Sequence, residues 1–424
     1  MQAVCHRGET SKLQHHILPY LVCFAASLFF FYEFIQGNMF SSIADNLMYD
    51  FKIAADKMTY LSSIYYVSNV LFLFIAGYVL DHFSPKRTLL LAMFLCVLST
   101  FIFAHTHSFT MALICRFMTG IGSAFCFLGP IRVASRWFPV NRMAMITGII
   151  VTFAMSGGIL SQYPLSHLVE TIGWRQAVTW VAWFGVFLWG VMLFGIREMP
   201  SHLTQQAKHK VALLPTLKCI YTNRNIIRAA WYTSLMNMAV AVFGAMMGIL
   251  YLMQRLELSK IQASKINAML FFGAIIGGPL LGWISDKIGR RVLPMKLAAL
   301  CSLWIMLAIM YAPLHEWMMG LMFFLLGLIT AAQVISYALV AESCSPQITA
   351  MAVSVISVLT QGGYVIYQNL FSYILTHVER PVYEDGVAQY TLHSYQMAAI
   401  ILPLGLAIAY FLVRQMHDKT EAVA

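Results

Sequence analysis

Two ionisable residues stand in stretches that otherwise carry no charge. Glu33 lies in Phe29-Phe30-Phe31-Tyr32-Glu33-Phe34-Ile35-Gln36-Gly37 and is the one acid or base between His16 and Asp45; Arg116 lies in Cys115-Arg116-Phe117-Met118-Thr119-Gly120-Ile121-Gly122. A carboxyl or guanidinium at membrane depth is expensive unless it faces a cavity or a partner, so each is read first as a functional group. For Glu33 the readings are a proton-carrying or solute-binding acid, or a carboxyl held by tyrosine hydroxyls. For Arg116 they are work alongside the acid, or bonds to backbone carbonyls. Uncharged polar residues stand in the same kind of surroundings: Tyr32, Gln36, Tyr65, Tyr66, Asn237, Gln333, Tyr337, Gln361, Tyr364 and Gln368. Groups of this kind either line a pathway or join helix to helix.

The elements that position them follow from composition. Of 424 residues 60% are hydrophobic and 10% charged, and the mean hydropathy is +0.73. A soluble surface needs roughly 25% charged residues, and a spanning helix takes about 20 apolar ones. The expectation is an all-α membrane protein with twelve transmembrane helices. The apolar runs fall at 17–43, 58–80, 88–104, 109–131, 143–163 and 175–196, then at 227–253, 265–284, 294–312, 316–341, 347–376 and 394–413. Residues 1–16 read as a polar tail, 17–196 and 227–413 as two six-helix bundles, 197–226 as a linker and 414–424 as a second tail.

The net charge of +10 is topological. With both termini inside, the loops on that side hold 19 Lys and Arg against seven on the other, and Arg116 lies within a span. This places the termini in the cytoplasm and removes nucleic acid as a partner. Eight cysteines without a C-x-x-C read as small buried hydrophobes. His105 and His107 have no acid or cysteine nearby to complete a metal site, and no P-loop supports ATP-driven transport. No cofactor is expected. The absence of an N-x-S/T sequon favours a bacterial inner membrane.

An internal repeat ties the halves together. Gly77-Tyr-Val-Leu-Asp81-His82-Phe-Ser84-Pro85-Lys86-Arg87 recurs as Gly282-Trp-Ile-Ser-Asp286-Lys287-Ile-Gly289-Arg290-Arg291, offset by 286 − 81 = 205 residues. Matching loops in two halves are a signature of duplicated transporter architectures. The pattern resembles the major facilitator superfamily, whose second-to-third and eighth-to-ninth loops carry G-x-x-x-D-R-x-G-R-R. Arg116-Phe-Met-Thr-Gly120-Ile-Gly122, Arg136-Trp137-Phe138-Pro139 and Gly173-Trp174-Arg175 fit that family as well. The first loop departs from it at Ser84 and Pro85, and Arg132 stands where the family often has an acid; Glu342 is available to Arg290 or Arg291.

The resemblance implies two pseudo-symmetric bundles rocking about a central site, lined by helices 1, 4, 7 and 10. It gives Asp81 a gating role against the Ser345-Pro346 start of helix 11, and ties Arg116 to proton coupling. The E-x-x-E-R of proton-coupled peptide transporters stops here after Glu33, and the proline of the antiporter pattern is missing from helix 5. The function expected is a monomeric secondary active transporter, a symporter coupled to protons, for a small polar solute such as an amino acid, small peptide or organic anion. The alternative is a porter for drug-like or siderophore-like compounds. At 1.5 Å per residue, Glu33 is about 15 Å below the end of its helix near 43 and Arg116 about 10 Å below 109, so the two are expected at one level. The 205-residue offset pairs Glu33 with Met238 and Arg116 with Leu321, leaving coupling to the first half.

Overall fold

The computed structural model describes residues 2–139, 142–197, 221–343, 346–379, 382–384 and 387–418. Eleven segments are long and apolar enough to cross a bilayer. Spans 1 to 6 are Ile17–Asn38, Ala55–Leu80, Pro85–His105, Phe109–Trp137, Met145–Ile172 and Trp174–Gly195; spans 7 to 10 are Arg224–Leu256, Lys260–Ile288, Val292–Tyr311 and Glu316–Glu342, and span 12 is Leu392–Arg414. The helix Pro346–Val378 takes the place of span 11, and its 33 residues reach about 50 Å. The architecture is the expected all-α one. Its exception is a short hairpin after span 11, pairing Val382–Glu384 with Val387–Gln389.

Several helices outrun the apolar runs that announced them. Span 1 is interrupted at Met39 and continues as the helix Phe40–Phe51, eight residues past the expected end at 43. The polar side chains of this extension are satisfied by other helices: Ser42 donates to the Ser161 carbonyl oxygen at 2.6 Å, and Asp45 accepts from Lys260. Large apolar side chains such as Leu91, Phe194, Trp304 and Trp317 point outward, a surface suited to lipid.

Within each half, glycines let backbones meet. On span 8, a Cβ at Gly273 would lie 2.0 Å from the Phe324 carbonyl oxygen and one at Gly277 2.1 Å from that of Leu328. On span 10, a Cβ at Gly327 would lie 1.9 Å from the Leu270 oxygen. The first half repeats this: Gly120 faces the Tyr65 carbonyl oxygen at 2.2 Å and Gly122, the 205-residue counterpart of Gly327, faces Cys96 and Ala92. The R-x-x-x-G-x-G motif is therefore a packing device, since close approach of small residues drives helix association in lipid.

The duplication also shows in its interruptions. Span 7 contains a π-helical stretch, Val240–Met247, and 38 + 205 = 243 places it opposite the break in span 1. Such stretches leave carbonyls without their regular helical donors, and at membrane depth these must be bonded from within the protein. The two bundles meet where these breaks lie, towards the face opposite the termini. Lys260 crosses to Asp45 at 2.7 Å and to Asn46 at 2.8 Å, the Ala55 amide donates to Tyr390 at 3.0 Å, and Thr59 bonds to Ser372. The Tyr66 and Tyr364 rings meet at 4.9 Å midway. On the face that bears the linker, by contrast, Gly77 and Gly282 have no atom within 4 Å of where a Cβ would stand.

The glycine contacts give a test. Gly277→Val should overpack the span 8–span 10 contact by about 1–3 kcal/mol and lower the melting temperature by several degrees. Gly278→Val, where nothing lies within 4 Å, should leave it within about a degree. Melting curves in one detergent compare the two, and equal effects would contradict the packing account.

Candidate functional site

Span 1 brings Glu33 against spans 2, 3 and 4. The residue is buried, at 3% exposure, and its Oε2 accepts from the Tyr65 hydroxyl at 2.9 Å. Its Oε1 has no hydrogen-bond partner. The Cys96 thiol lies nearby and donates to the Thr119 carbonyl oxygen at 3.5 Å. The tyrosine-paired carboxyl left open by the sequence is thus the arrangement found, with one oxygen to spare.

Arg116, 1% exposed, meets no carboxylate among the described residues. Its Nε donates to the Leu61 carbonyl oxygen at 3.3 Å, Nη2 to the Gln36 carbonyl oxygen at 3.2 Å and Nη1 to Gln36 Oε1 at 3.4 Å. The guanidinium carbon lies 4.6 Å from the Phe40 ring centroid and 4.7 Å from that of Tyr65. Gln36 ends the first segment of span 1, so the cation sits at the negative pole of a helix. Hydrogen bonds from a charged group contribute about 1.5–3 kcal/mol each, and cation–π contacts about 2 kcal/mol when desolvated. Of the two readings for Arg116, the geometry has the carbonyl one. Tyr65 stands between acid and base, its hydroxyl bonding Glu33 and its ring facing Arg116.

The remaining candidates divide. Tyr32 accepts from the Gln36 amide at 3.0 Å and packs against span 6, where a Cβ on Gly185 would be 2.8 Å from its hydroxyl. Tyr66 donates to the Gly37 carbonyl oxygen at 3.0 Å and faces Tyr364, whose hydroxyl reaches Asn237 Oδ1 at 3.4 Å. Gln368 donates to the Ala241 carbonyl oxygen at 2.9 Å. Since 36 + 205 = 241, this carbonyl is the counterpart of the one Arg116 holds: an amide in one half does the work of a guanidinium in the other. Gln333, Tyr337 and Gln361 are half-buried on spans 10 and 11.

The repeated loops differ as their sequences do. Gly289 adopts a left-handed conformation, φ 69°, and closes span 8; its counterpart Ser84 has φ −62° and caps span 3, accepting from the Arg87 amide at 3.3 Å with Pro85 in the first turn. Lys86 is half-buried and the Arg87 side chain exposed. In the second loop Arg291, not Arg290, takes Glu342, at 2.7 Å from Nη2, and also bonds to Asp286. Glu342, and then Asp286, hold the Arg291 guanidinium above its ordinary pKa. The Asp418 carboxylate caps span 9, accepting from the Arg291 and Val292 amides at 2.9 and 3.1 Å. The Asp81 side chain and Ser345 lie outside the described residues, as does most of the 197–226 linker.

Sequence reasoning passed over Gln162, Asn267 and the Asp45–Lys260 pair, which join the bundles. Lys260 had counted as a loop charge; the signal for Gln162 and Asn267 was a lone amide within an apolar run. Gly173-Trp174-Arg175 also finds a use, with the Trp174 indole donating to Asp50 at 2.7 Å and Arg175 to the Thr106 carbonyl oxygen at 2.6 Å. Of the described cysteines, Cys301 is exposed rather than buried, which suits a lipid-facing thiol.

Comparison with known proteins agrees with this architecture. The family model of the Major Facilitator Superfamily matches residues 22–368. The chain is 22% identical over 313 residues to a probable sulfoacetate transporter, SauU, of Cupriavidus necator, covering 70% of each. It is 21% identical over 360 residues to the lysosomal dipeptide transporter MFSD1 of Danio rerio, covering 80% of this chain and 74% of that one. A bacterial homolog of the human lysosomal transporter Spinster, solved in an inward-facing and occupied conformation, superposes with a TM-score of 0.75 at 16% identity, over 95% of this chain and 98% of the other. With eleven apolar spans among the described residues, its repeated loops and this match across most of its length, the chain belongs to the Major Facilitator Superfamily and is a multi-pass membrane transporter rather than an enzyme.

Proposed function

We propose that the chain is a proton-coupled secondary transporter of a small carboxylate- or sulfonate-bearing solute, a class that includes amino acids and small peptides, working by alternating access with both termini in the cytoplasm. One observation carries the coupling: Glu33 is a buried carboxyl whose Oε2 accepts from the Tyr65 hydroxyl and whose Oε1 has no hydrogen-bond partner among the described residues. A carboxylate so poorly solvated is costly and a neutral acid much less so, which suits a group that takes up and releases a proton as the bundles move. Arg116 has no anionic partner and two unused N–H groups, so its charge is free to act on an anionic solute once the surrounding rings part. Tyr66 from the first bundle, with Tyr364, Asn237, Gln333, Tyr337 and Gln361 from the second, supplies hydrogen bonds on both sides of the seam. The solute class draws its support from the relatives, named for sulfoacetate and for dipeptides. The proton rests on Glu33 alone.

Counterflow in proteoliposomes, with a panel of sulfonates, hydroxycarboxylates, amino acids and dipeptides and with or without a pH gradient, tests this reading. An inward proton gradient should accelerate uptake of at least one of these solutes. Glu33→Gln should abolish that acceleration while counterflow survives, and an unchanged gradient response would refute Glu33 as the proton carrier. Arg116→Gln should raise the KM for the transported anion at least tenfold; an unaltered KM would leave Arg116 as a cap on span 1 and nothing more.

The family motif yields one further expectation. Asp81→Asn should reduce the transport rate severalfold at normal membrane abundance, because Asp81 starts the first copy of the repeated loop. Wild-type initial rates in the variant would mean that its carboxylate is merely solvated.

A further inference from the structure

The seam between the bundles depends on one side chain more than on any other described there. Gln162, near the far end of span 5, is fully buried. Its Oε1 accepts from Ser41 Oγ at 2.9 Å and from Asn267 Nδ2 at 2.7 Å. Its Nε2 donates to the Gly244 carbonyl oxygen at 3.0 Å and to Ser161 Oγ at 3.0 Å, and reaches towards the Asn38 carbonyl oxygen at 3.4 Å. Asn267 in turn donates to the Phe243 carbonyl oxygen at 3.1 Å. The carbonyls of Asn38 and Phe243 are counterparts under the 205-residue offset, at the two helix interruptions. One primary amide therefore bonds to the broken part of span 1, to the π-helical part of span 7 and to span 8, crossing from one bundle to the other twice.

We infer that Gln162 is the positioning residue of the gate on the face opposite the termini: its amide holds the two interrupted helices together when that face is closed. The chemistry of the residue fits this role. An amide accepts from Asn267 through its oxygen and donates to Gly244 through its nitrogen at once; an ionised carboxylate could do the first alone, and an apolar side chain neither. The ion pair between Lys260 and Asp45 lies nearer the surface, where the Asp45 side chain is 36% exposed and solvent screens it. The amide knot lies in a dry region, so opening the gate strips the Gly244 oxygen and the Asn267 amide of their partners until water replaces them. The balance between closed and open is set there, independently of whether Glu33 carries a proton.

Hydrogen–deuterium exchange of the full chain in lipid nanodiscs, without added solute, tests the assignment. In Gln162→Leu, amides in 38–51 and 243–256 should exchange at least tenfold faster, while those in 285–300, at the linker face, stay within twofold of the unaltered protein. Asn267→Leu should also accelerate exchange at 243–256, and the double variant should fall short of the sum of the two single effects, because both remove the Gln162–Asn267 bond. Unchanged exchange at the far face in Gln162→Leu would overturn the inference. So would an equal rise at both faces, the mark of general loosening, or additive effects in the double variant.

Discussion

A backbone carbonyl that loses its helical donor inside a bilayer has no water to turn to, and this protein interrupts two helices in that environment. The cost of leaving such a group unbonded, about 1–3 kcal/mol for a neutral one, must be met by side chains from other helices. The polar residues in the middle of the molecule are arranged around that need. Arg116 bonds the Gln36 carbonyl oxygen, Tyr66 that of Gly37, Gln162 those of Asn38 and Gly244, Gln368 that of Ala241, and Asn267 that of Phe243, which the Gly248 amide also reaches. The donors come from spans 2, 4, 5, 8 and 11, so satisfying the breaks in spans 1 and 7 also fixes where the other helices stand.

This arrangement explains why the buried acid and base are not an ion pair. Arg116 is held by carbonyl oxygens and two aromatic rings, while Glu33 is left with the Tyr65 hydroxyl. Two charges locked to each other at this depth would resist separation, since breaking a buried pair leaves an uncompensated charge. With Tyr65 between them, the carboxyl changes protonation without losing a salt bridge, and the guanidinium keeps the end of the first segment of span 1 in place whatever the carboxyl does. The second bundle, with Met238 and Leu321 at the matching positions and Gln368 as its capping donor, carries the same structural duty without charge.

The loops on the linker face are less symmetric. Gly289 turns through a left-handed conformation that a residue with a Cβ enters at a cost, and this sets Arg291 between Asp286 and Glu342. Ser84 makes its turn without a positive φ and caps the next helix instead. Asp418 then ties the end of the chain to the start of span 9. The linker face of the second bundle is thus a cross-braced unit, whereas Arg132 in the first bundle stands where an acid would have completed a matching brace.

Composition, charge asymmetry and the Gly77 and Gly282 loops were enough to determine a twelve-helix duplicated membrane protein, because hydrophobic length and positive-inside bias are properties of the chain read in order. The 205-residue offset makes the two breaks counterparts once the structure shows them, although no residue type announced them. Glu33 and Arg116 stood out in the sequence because a charge in an apolar run is rare, and Gln36, Tyr65 and Tyr66 were candidates for the same reason. What those residues bond to was decided only in three dimensions. Arg116 meets Gln36 across 80 residues, Glu33 meets Tyr65 across 32 and Gln162 meets Asn267 across 105. Asp45 and Lys260 fell outside the apolar runs at 17–43 and 265–284, because polarity along a chain does not tell water from a buried partner. That distinction belongs to the packing of the two bundles, where a polar group is stable in the membrane only once another helix has brought it a hydrogen bond.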